Sequence, residues 1–138
     1  QVKIKLSPIC EEVRGKRIVL IDDSIVRGTT SGKIVGLLRE AGASEIHMRI
    51  SSPPFRNPCY YGTDIDSREH LIACQHTVPE IARIIGADSL GYLELEDLAQ
   101  MIGSHNFCHA CFSGEYPTEI PTHTEKDRFE GPLSKKKP

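Results

Sequence analysis

Residues 17–31 read RIVLIDDSIVRGTTS, and this stretch decides the fold. Its first six residues, Arg17 to Asp22, form a short apolar run without alternation, which is typical of a strand buried on both faces in a parallel sheet. The carboxylates of Asp22 and Asp23 follow at the carboxyl end of that strand, where open α/β sheets place their ligands. Gly28 and three hydroxyl residues come next. The stretch therefore predicts a strand, a ligand-binding loop and the approach to a helix.

The segments on either side extend this pattern into a βαβ unit. Apolar residues recur at helical spacing over residues 34–41, and Gly42 is placed to end that helix in the left-handed region. Residues 46–50 alternate between apolar and polar, which predicts a strand with one covered face. Strand, helix and strand in this order predict a parallel pair joined by a right-handed crossover.

The second half of the chain predicts two more helices and one more strand. A capping box with proline in the first turn opens a helix at Thr77, and Gly86 ends it. Residues 89–93 fit a short strand, and residues 94–102 fit a helix with an acidic start. We expect an α/β fold with a parallel-sheet core over residues 1–121, a helical C-terminal region, and a solvated, loop-rich tail over residues 122–138.

Composition limits the classes of protein that are possible. The chain has 138 residues, 38% of them hydrophobic, and a formal net charge of −2, as in one soluble domain. No apolar run is long enough to span a bilayer. Residues 126–138 hold five of the 17 basic and two of the 19 acidic residues, so the rest carries 12 against 17, a charge of −5. This excess of acid disfavours binding to nucleic acid.

The ends and the cysteines of the chain point to a fragment of a cytoplasmic protein. The chain opens at Gln1 without a start methionine and without the apolar stretch of a signal peptide, so we expect a piece of a longer protein. Five cysteines are an odd number, which favours free thiols in a reducing cytosol, or metal ligands, over a disulfide framework.

The loop after the first strand presents an electrostatic conflict. Small residues before a helix N-terminus predict a site for an anion, most often phosphate. A carboxylate about 5–6 Å from a phosphate costs roughly 3 kcal/mol at an effective dielectric constant near 20. A divalent cation, or sugar hydroxyls bound to Asp22 and Asp23, removes the conflict, and phosphorylated ribose with Mg²⁺ supplies both. The alternative is an ordinary turn in which Thr30 or Ser31 caps the helix.

A C-x₂-C pair, Cys108 and Cys111, is the second chemical motif. By itself it fits a zinc half-site, an iron–sulfur half-site or a redox dithiol, and the position late in a loop makes the redox reading the weakest. An unliganded surface pair is the remaining alternative. A metal needs more ligands, and the candidates are Cys10, Cys59, Cys74 and, for zinc, His105 and His109.

Residues 19–30, VLIDDSIVRGTT, resemble the phosphoribosyl-pyrophosphate (PRPP) loop of type I phosphoribosyltransferases. The sequence DDSIVRGTT, residues 22–30, is similar to that of the glutamine PRPP amidotransferase family in particular. The similarity extends through residues 6–9, 51–54, 57–62 and 112–119 and so covers nearly the whole chain up to Pro121.

The resemblance implies roles for individual residues. Asp22 and Asp23 would engage the ribose diol and the active-site Mg²⁺. The residues that would hold the 5′-phosphate through backbone amides and hydroxyls are Ser24, Ile25, Val26, Arg27, Gly28, Thr29 and Thr30. Arg27 either adds positive charge there or pairs with the protein's own acids.

The same resemblance implies a structural [4Fe–4S] cluster. Cys59, Cys108 and Cys111 match three of the cysteines that ligate it in many members of the family, and the fourth lies in a part of the family's chain that is absent here. Cys10 and Cys74 match no ligand, and we expect them to be small buried hydrophobes.

The family's reaction displaces pyrophosphate from C1 of PRPP with ammonia, which gives 5-phosphoribosylamine and begins purine synthesis. The ammonia comes from glutamine in a separate N-terminal domain, and the family is usually oligomeric. No general base is needed for ammonia, and we find no candidate for one in the sequence. Val2–Ser7 resembles the end of the family's lid, and other parts of the transferase site would lie upstream. We therefore expect this chain to be the C-terminal part of the enzyme and to be inactive alone. The alternatives are a non-catalytic PRPP-sensing regulator of the same fold and a zinc-stabilised structural module.

Overall fold

The computed structural model describes residues 7–65, 67–104 and 106–120. The expected tail, residues 1–6 and the candidate ligand His105 lie outside these ranges. The regular elements in chain order are α1 (Cys10–Val13), β1 (Arg17–Asp22), α2 (Thr29–Glu40), β2 (Glu45–Ile50), a 3₁₀ turn (Arg68–His70), α3 (Ile72–Gln75), α4 (Val78–Ile85), β3 (Ser89–Tyr92), α5 (Leu95–Ile102) and α6 (Ala110–Ser113).

The strands form a parallel sheet in the order β1-β2-β3. Ile18 of β1 is level with Ile46 of β2, and Met48 of β2 is level with Leu90 of β3. Helix α2 connects β1 to β2, and α4 lies on the connection from β2 to β3. The predicted βαβ core is confirmed, and a second crossover extends it.

The main core lies between the sheet and the helices α2 and α4. Ile46, Met48 and Ile50 of the central strand are at most 3% exposed. They share one hydrophobic cluster with Val35 of α2 and Ile81 of α4. This arrangement arises because alternate residues of β2 point to the same face, where the apolar stripes of both helices cover them.

The opposite face of the sheet carries exposed apolar side chains. Val19 and Ile21 of β1 are 63% and 73% exposed. The prediction that β1 is buried on both faces is therefore wrong for this chain. The reason is that β1 is an edge strand of the described sheet and that α2 and α4 both pack on the face of Ile18 and Leu20.

Local signals place the helix ends. The Thr77 N–H and hydroxyl donate to Glu80 Oε2 at 2.7 and 2.8 Å, which confirms the capping box of α4, and Gly86 ends that helix at φ +79°. Helix α2 starts at Thr29, earlier than the apolar periodicity indicated, because its first turn is polar. Gly42 follows α2 at φ +96°, the left-handed conformation that was expected.

A second, smaller core lies beside the loops and is called the loop core below. Its buried members are Phe55, Cys59, Ile65 and Leu71, and Val26, Cys111 and Phe112 pack against them. The rings of Phe55 and Phe112 are 5.0 Å apart between centroids. The loop core thus joins the segment after β2 to the segment around α6. Within the described ranges, no helix combines the length and the apolar character needed to cross a membrane.

Candidate functional site

The carboxyl ends of the three strands meet at one edge of the sheet. Asp22 of β1 is level with Ile50 of β2, which is level with Tyr92 of β3. The Ser51 N–H donates to the Asp22 carbonyl at 3.0 Å. Near this edge, Ser52 Oγ and the Tyr92 hydroxyl are buried and have no hydrogen-bond partner among the described residues. Burial raises the pKa of Tyr92 to about 12, so this phenol is neutral.

The two aspartates lie at the carboxyl end of β1, at this edge. Asp22 is half-buried and Asp23 is exposed. The Asp23 N–H donates to Asp22 Oδ1 at 3.0 Å, and the Ser24 hydroxyl donates to Asp23 Oδ1 at the same distance. Within the described part of the chain, neither carboxylate forms an ion pair. Both acids therefore remain available to a cation or to hydroxyl groups.

The middle of the loop is anchored so that its backbone holds one path. Ile25 is only 2% exposed, and the Val26 carbonyl accepts from the Ile72 N–H at 2.9 Å. These contacts bind the loop to both the main core and α3. Arg27 is exposed beside them. The loop is consequently held between two fixed points while its outer surface stays open.

Gly28 makes the turn from the loop into α2. Its φ is +78°, a left-handed conformation that L-residues rarely adopt. A Cβ at this position would lie 2.8 Å from Ile72 Cδ1 and 3.5 Å from Ile85 Cγ2. Conformation and space therefore both require glycine here.

The N-terminus of α2 has no side-chain cap. Gly28 is its N-cap residue, and no side chain hydrogen bonds there. Thr29 and Thr30 are exposed, whereas Ser31 is 3% exposed. The alternative in which Thr30 or Ser31 caps the helix is not observed. First-turn N–H groups without a side-chain cap can bind an anion.

Two separate hollows flank the loop. The larger, about 560 Å³, lies between α2 and α4 and is lined by Arg27, Gly28 and Thr29 together with Lys33 and Arg39. The smaller, about 270 Å³, lies on the side of Asp22, against apolar side chains of α2. Asp22 and the glycine turn therefore line different hollows.

Cys59 lies in the loop core, in a turn that surrounds its sulfur with backbone donors. The Thr63 N–H donates to Cys59 Sγ at 3.4 Å. Burial opposes ionisation of this thiol, but hydrogen bonds from the N–H groups of Tyr61, Thr63 and Gly62 together hold the pKa of Cys59 below its ordinary value. The turn thus favours the thiolate, which is the form that ligates metals.

The C-x₂-C pair lies close to this turn. Cys111 packs against the loop core, and burial, followed by the charge of Cys59, raises the pKa of Cys111 to about 11. Cys108 is exposed and lines a hollow of about 500 Å³ with His109 and Tyr116. All three thiols are free. Cys59 is a member of the loop core and Cys111 packs against it, whereas Cys108 lines the neighbouring hollow.

The described residues contain no group of side chains that would hold a single metal ion. Within residues 7–65, 67–104 and 106–120, no three His, Cys, Asp or Glu side chains form such a group. The assignment of Cys59, Cys108 and Cys111 to a [4Fe–4S] cluster therefore stays a prediction.

The two other cysteines correct an expectation. Cys10 and Cys74 are both exposed, so the prediction that they are small buried hydrophobes is wrong. Cys10 begins the short surface helix α1, and Cys74 Sγ donates to the Arg56 carbonyl at 3.2 Å. Neither lies in the loop core.

The curated relatives of this chain described here are amidophosphoribosyltransferases. The chain is 53% identical over 124 residues to the amidophosphoribosyltransferase of Archaeoglobus fulgidus, a match that covers 87% of this chain and 27% of the relative. The corresponding values for the Bacillus subtilis enzyme are 54% over 125 residues, 86% and 26%. The chain belongs to the amidophosphoribosyltransferase family. It spans about a quarter of the length of these relatives and corresponds to their C-terminal part. No protein-family model matches the chain.

A solved structure of the family supports the fold. The glutamine PRPP amidotransferase from B. subtilis complexed with ADP and GMP superimposes with a TM-score of 0.78 at 52% identity. The match covers 86% of this chain and 27% of that one. Together with the three-stranded parallel sheet, this likeness confirms the predicted partial phosphoribosyltransferase fold.

Sequence reasoning missed three side chains near the two sites. Tyr92 and Ser52 reach the strand edge through the register of the sheet, and Tyr116 reaches the cysteines through the fold of residues 114–118. The position of Tyr92 at the end of a predicted strand was a usable signal. No spacing in the amidophosphoribosyltransferase-like sequence indicated the other two.

Proposed function

We propose that this chain is the C-terminal part of a glutamine PRPP amidotransferase and carries the ribose-phosphate half of its transferase site. The observation that supports this most is the loop over residues 22–30. There, two aspartates without ion pairs to described residues lie at the carboxyl edge of a parallel sheet. Residues 24–27 lead from them to the left-handed Gly28 and an uncapped helix N-terminus. The identity with amidophosphoribosyltransferases supports the same assignment.

In this proposal the aspartates and the loop divide the ligand between them. Asp22 and Asp23 bind the ribose diol and hold Mg²⁺, and the N–H groups and hydroxyls of residues 24–30 bind the 5′-phosphate. When bound, Mg²⁺ supplies positive charge that stabilises the departing pyrophosphate. The fixed path of the loop orients the donors before the ligand arrives, so little reorganisation accompanies the reaction.

The reaction proposed for the whole enzyme joins the nitrogen of ammonia to C1 of PRPP while the bond from C1 to the pyrophosphate oxygen breaks. Ammonia released from glutamine in another domain carries its own electron pair, so residues 7–65, 67–104 and 106–120 need supply no general base. Pyrophosphate-binding residues and the glutaminase belong to the remainder of the enzyme. The isolated chain is accordingly inactive, and the full-length enzyme is a homo-oligomer.

We assign Cys59, Cys108 and Cys111 to a [4Fe–4S] cluster whose fourth cysteine lies outside this chain. The free thiols of these three cysteines support this, as does the hydrogen-bonded sulfur of Cys59. Such a cluster joins the loop core covalently to another segment of the enzyme. Iron and acid-labile sulfide in the full-length protein test the assignment, and zinc without sulfide contradicts it.

Free thiols and a cluster both suit a reducing compartment, so we place the enzyme in the cytoplasm. The relatives from Glycine max and Arabidopsis thaliana are named chloroplastic.

An assay of the full-length protein separates the enzyme from a PRPP-sensing regulator. Incubation with PRPP and Mg²⁺ is expected to release pyrophosphate only when glutamine or an ammonium salt is added. A regulator would bind PRPP without any release. Ammonium-dependent release without a response to glutamine would support the transferase and contradict the glutaminase domain.

A further inference from the structure

Three tyrosines surround the turn that carries Cys59. The Tyr116 hydroxyl donates to the Pro58 carbonyl at 2.8 Å. Its ring centroid lies 5.1 Å from that of Tyr60 and 6.5 Å from that of Tyr61. Tyr116 is half-buried, so these contacts exclude water from one side of the ring. The proposed reaction uses none of these groups.

Tyr116 connects the surroundings of two of the cysteines. We assign it no role in the sheet or in the PRPP loop. It lines the same hollow as Cys108. Pro58, the acceptor of its hydrogen bond, directly precedes Cys59. Tyr116 therefore joins the turn that carries Cys59 to the hollow that is lined by Cys108.

Backbone hydrogen bonds also join the two cysteine-bearing loops. The Cys111 carbonyl accepts from the N–H groups of Arg56 and Asn57, each at 3.0 Å. Those bonds fix the loops upstream of Pro58, whereas the Tyr116 bond is made to the residue next to the ligand itself. The aromatic contacts add rigidity because ring pairs at these separations attract each other.

We infer that Tyr116 is a positioning residue for the three-cysteine set, holding the Cys59 turn at a fixed distance from Cys108 and Cys111 through its bond to Pro58. The inference rests on the proposed cluster function of these cysteines. A ligand sulfur that is held in place rebinds its iron before the cluster is lost, so the bond slows dissociation. Loss of one hydrogen bond of this kind is expected to speed cluster loss by about 2- to 10-fold.

The experiment uses the full-length enzyme purified without oxygen. Tyr116→Phe removes the hydroxyl and keeps the ring packing, so the fold is expected to persist. The matched control is Tyr61→Phe, which removes a hydroxyl bonded to Thr118 Oγ1 at 3.0 Å on an exposed ring beside Tyr116. Iron and sulfide per chain, visible circular dichroism, and the rate of bleaching with an iron chelator are measured for each protein.

We expect all three proteins to contain iron and sulfide when purified, with altered visible dichroism and 2- to 10-fold faster bleaching in Tyr116→Phe alone. A second variant, Tyr116→Leu, also removes the ring contacts and should bleach at least as fast as Tyr116→Phe. Equal dichroism and bleaching in the wild type, Tyr116→Phe and Tyr61→Phe would overturn the positioning role while leaving the cluster intact. A wild type without iron and sulfide would overturn the cluster assignment and this inference with it.

Discussion

Replacing Gly28 by alanine tests the geometry of the loop directly. Gly28 adopts φ +78°, and an added Cβ would lie 2.8 Å from Ile72 Cδ1 and 3.5 Å from Ile85 Cγ2. The same substitution at Gly36, within α2, would meet nothing within 4 Å. The two changes are chemically identical, so any difference between them reports the environment of the glycine.

The expected magnitudes follow from three contributions. A left-handed conformation costs a non-glycine residue about 1–2 kcal/mol. Displacing the flexible end of Ile72 from its preferred rotamer costs about 0.5–1.5 kcal/mol. Reduced freedom of the unfolded chain offsets about 0.4–1 kcal/mol of this. We expect Gly28→Ala to lower the free energy of unfolding by about 2 kcal/mol, and Gly36→Ala to raise it by about 0.5–1 kcal/mol.

Urea unfolding of the reduced chain, followed by far-ultraviolet circular dichroism, measures both variants. The midpoint for Gly28→Ala should fall and that for Gly36→Ala should rise, with unchanged slopes. In thermal unfolding the loss at Gly28 corresponds to roughly 8 °C. Equal midpoints, or a more stable Gly28→Ala, would refute the left-handed turn and the close contact with α3.

Three further predictions concern the capping box, a carboxylate and the open sheet face. Thr77→Ala should lower the free energy of unfolding by about 1 kcal/mol, because the capping hydroxyl and its contact with Glu80 Oε2 are lost while the backbone N–H contact remains. The Ile46 N–H, 2.6 Å from Asp88 Oδ2, and an ion pair hold the pKa of Asp88 below its ordinary value of 3.8. The ionised carboxylate of Asp88 therefore stabilises the fold above pH 3.8, and this stabilisation disappears as pH falls through the lowered pKa. In a plot of the free energy of unfolding against pH, Asp88→Asn should therefore reduce the slope below about pH 4. Val19→Thr should change the free energy of unfolding of this chain by less than about 0.5 kcal/mol, because Val19 is exposed here. The same substitution should lower the free energy of unfolding of the full-length enzyme by about 1–2 kcal/mol, because we expect another segment to cover Val19 there.

Each of these has a contrary outcome. An unchanged urea midpoint in Thr77→Ala would remove the energetic role of the box. If the free energy of unfolding of Asp88→Asn falls with decreasing pH as steeply as that of the wild type, groups other than Asp88 govern the acid dependence. The control is Asp97→Asn, a change at an exposed carboxylate. A neutral Val19→Thr in the full-length enzyme would mean that this face stays open to solvent.

Much of the fold was predictable because its signals are local. The box at Thr77, the glycine stop at Gly86 and the alternation through β2 act over a few residues and do not depend on distant contacts. The start of α2 was misjudged because its first turn is polar and carries no periodicity. Its true beginning is set by the turn at Gly28, which only the packing against Ile72 and Ile85 explains.

The error at β1 has a different physical origin. Its apolar run is suited to a strand covered on both faces, yet Val19 and Ile21 are exposed in this chain. The chain spans about a quarter of its relatives' length, and an apolar run retains the pattern of the complete protein. We therefore expect the apolar run of β1 to reflect its surroundings in a longer chain, whereas the structure shows its surroundings in this chain alone.

The candidate site was predictable only in outline. The rule that ligands bind at the carboxyl ends of parallel strands located Asp22 and Asp23. The burial of Ser52 and Tyr92 at that edge, and the separation of the two hollows, depend on register and packing that no local motif encodes. The exposure of Cys74 likewise depends on where its short helix lies.

Isothermal titration of the full-length enzyme with PRPP, in Mg²⁺ and in its absence, tests the central proposal most directly. The wild type should bind PRPP in a Mg²⁺-dependent manner, and Asp22→Asn should weaken that binding by about 10- to 100-fold, because charge-assisted hydrogen bonds to the diol and a metal contact are lost. The exposed Asp97→Asn should bind as the wild type does. Unchanged affinity in Asp22→Asn, or PRPP binding that is indifferent to Mg²⁺, would contradict the assignment of the acid pair.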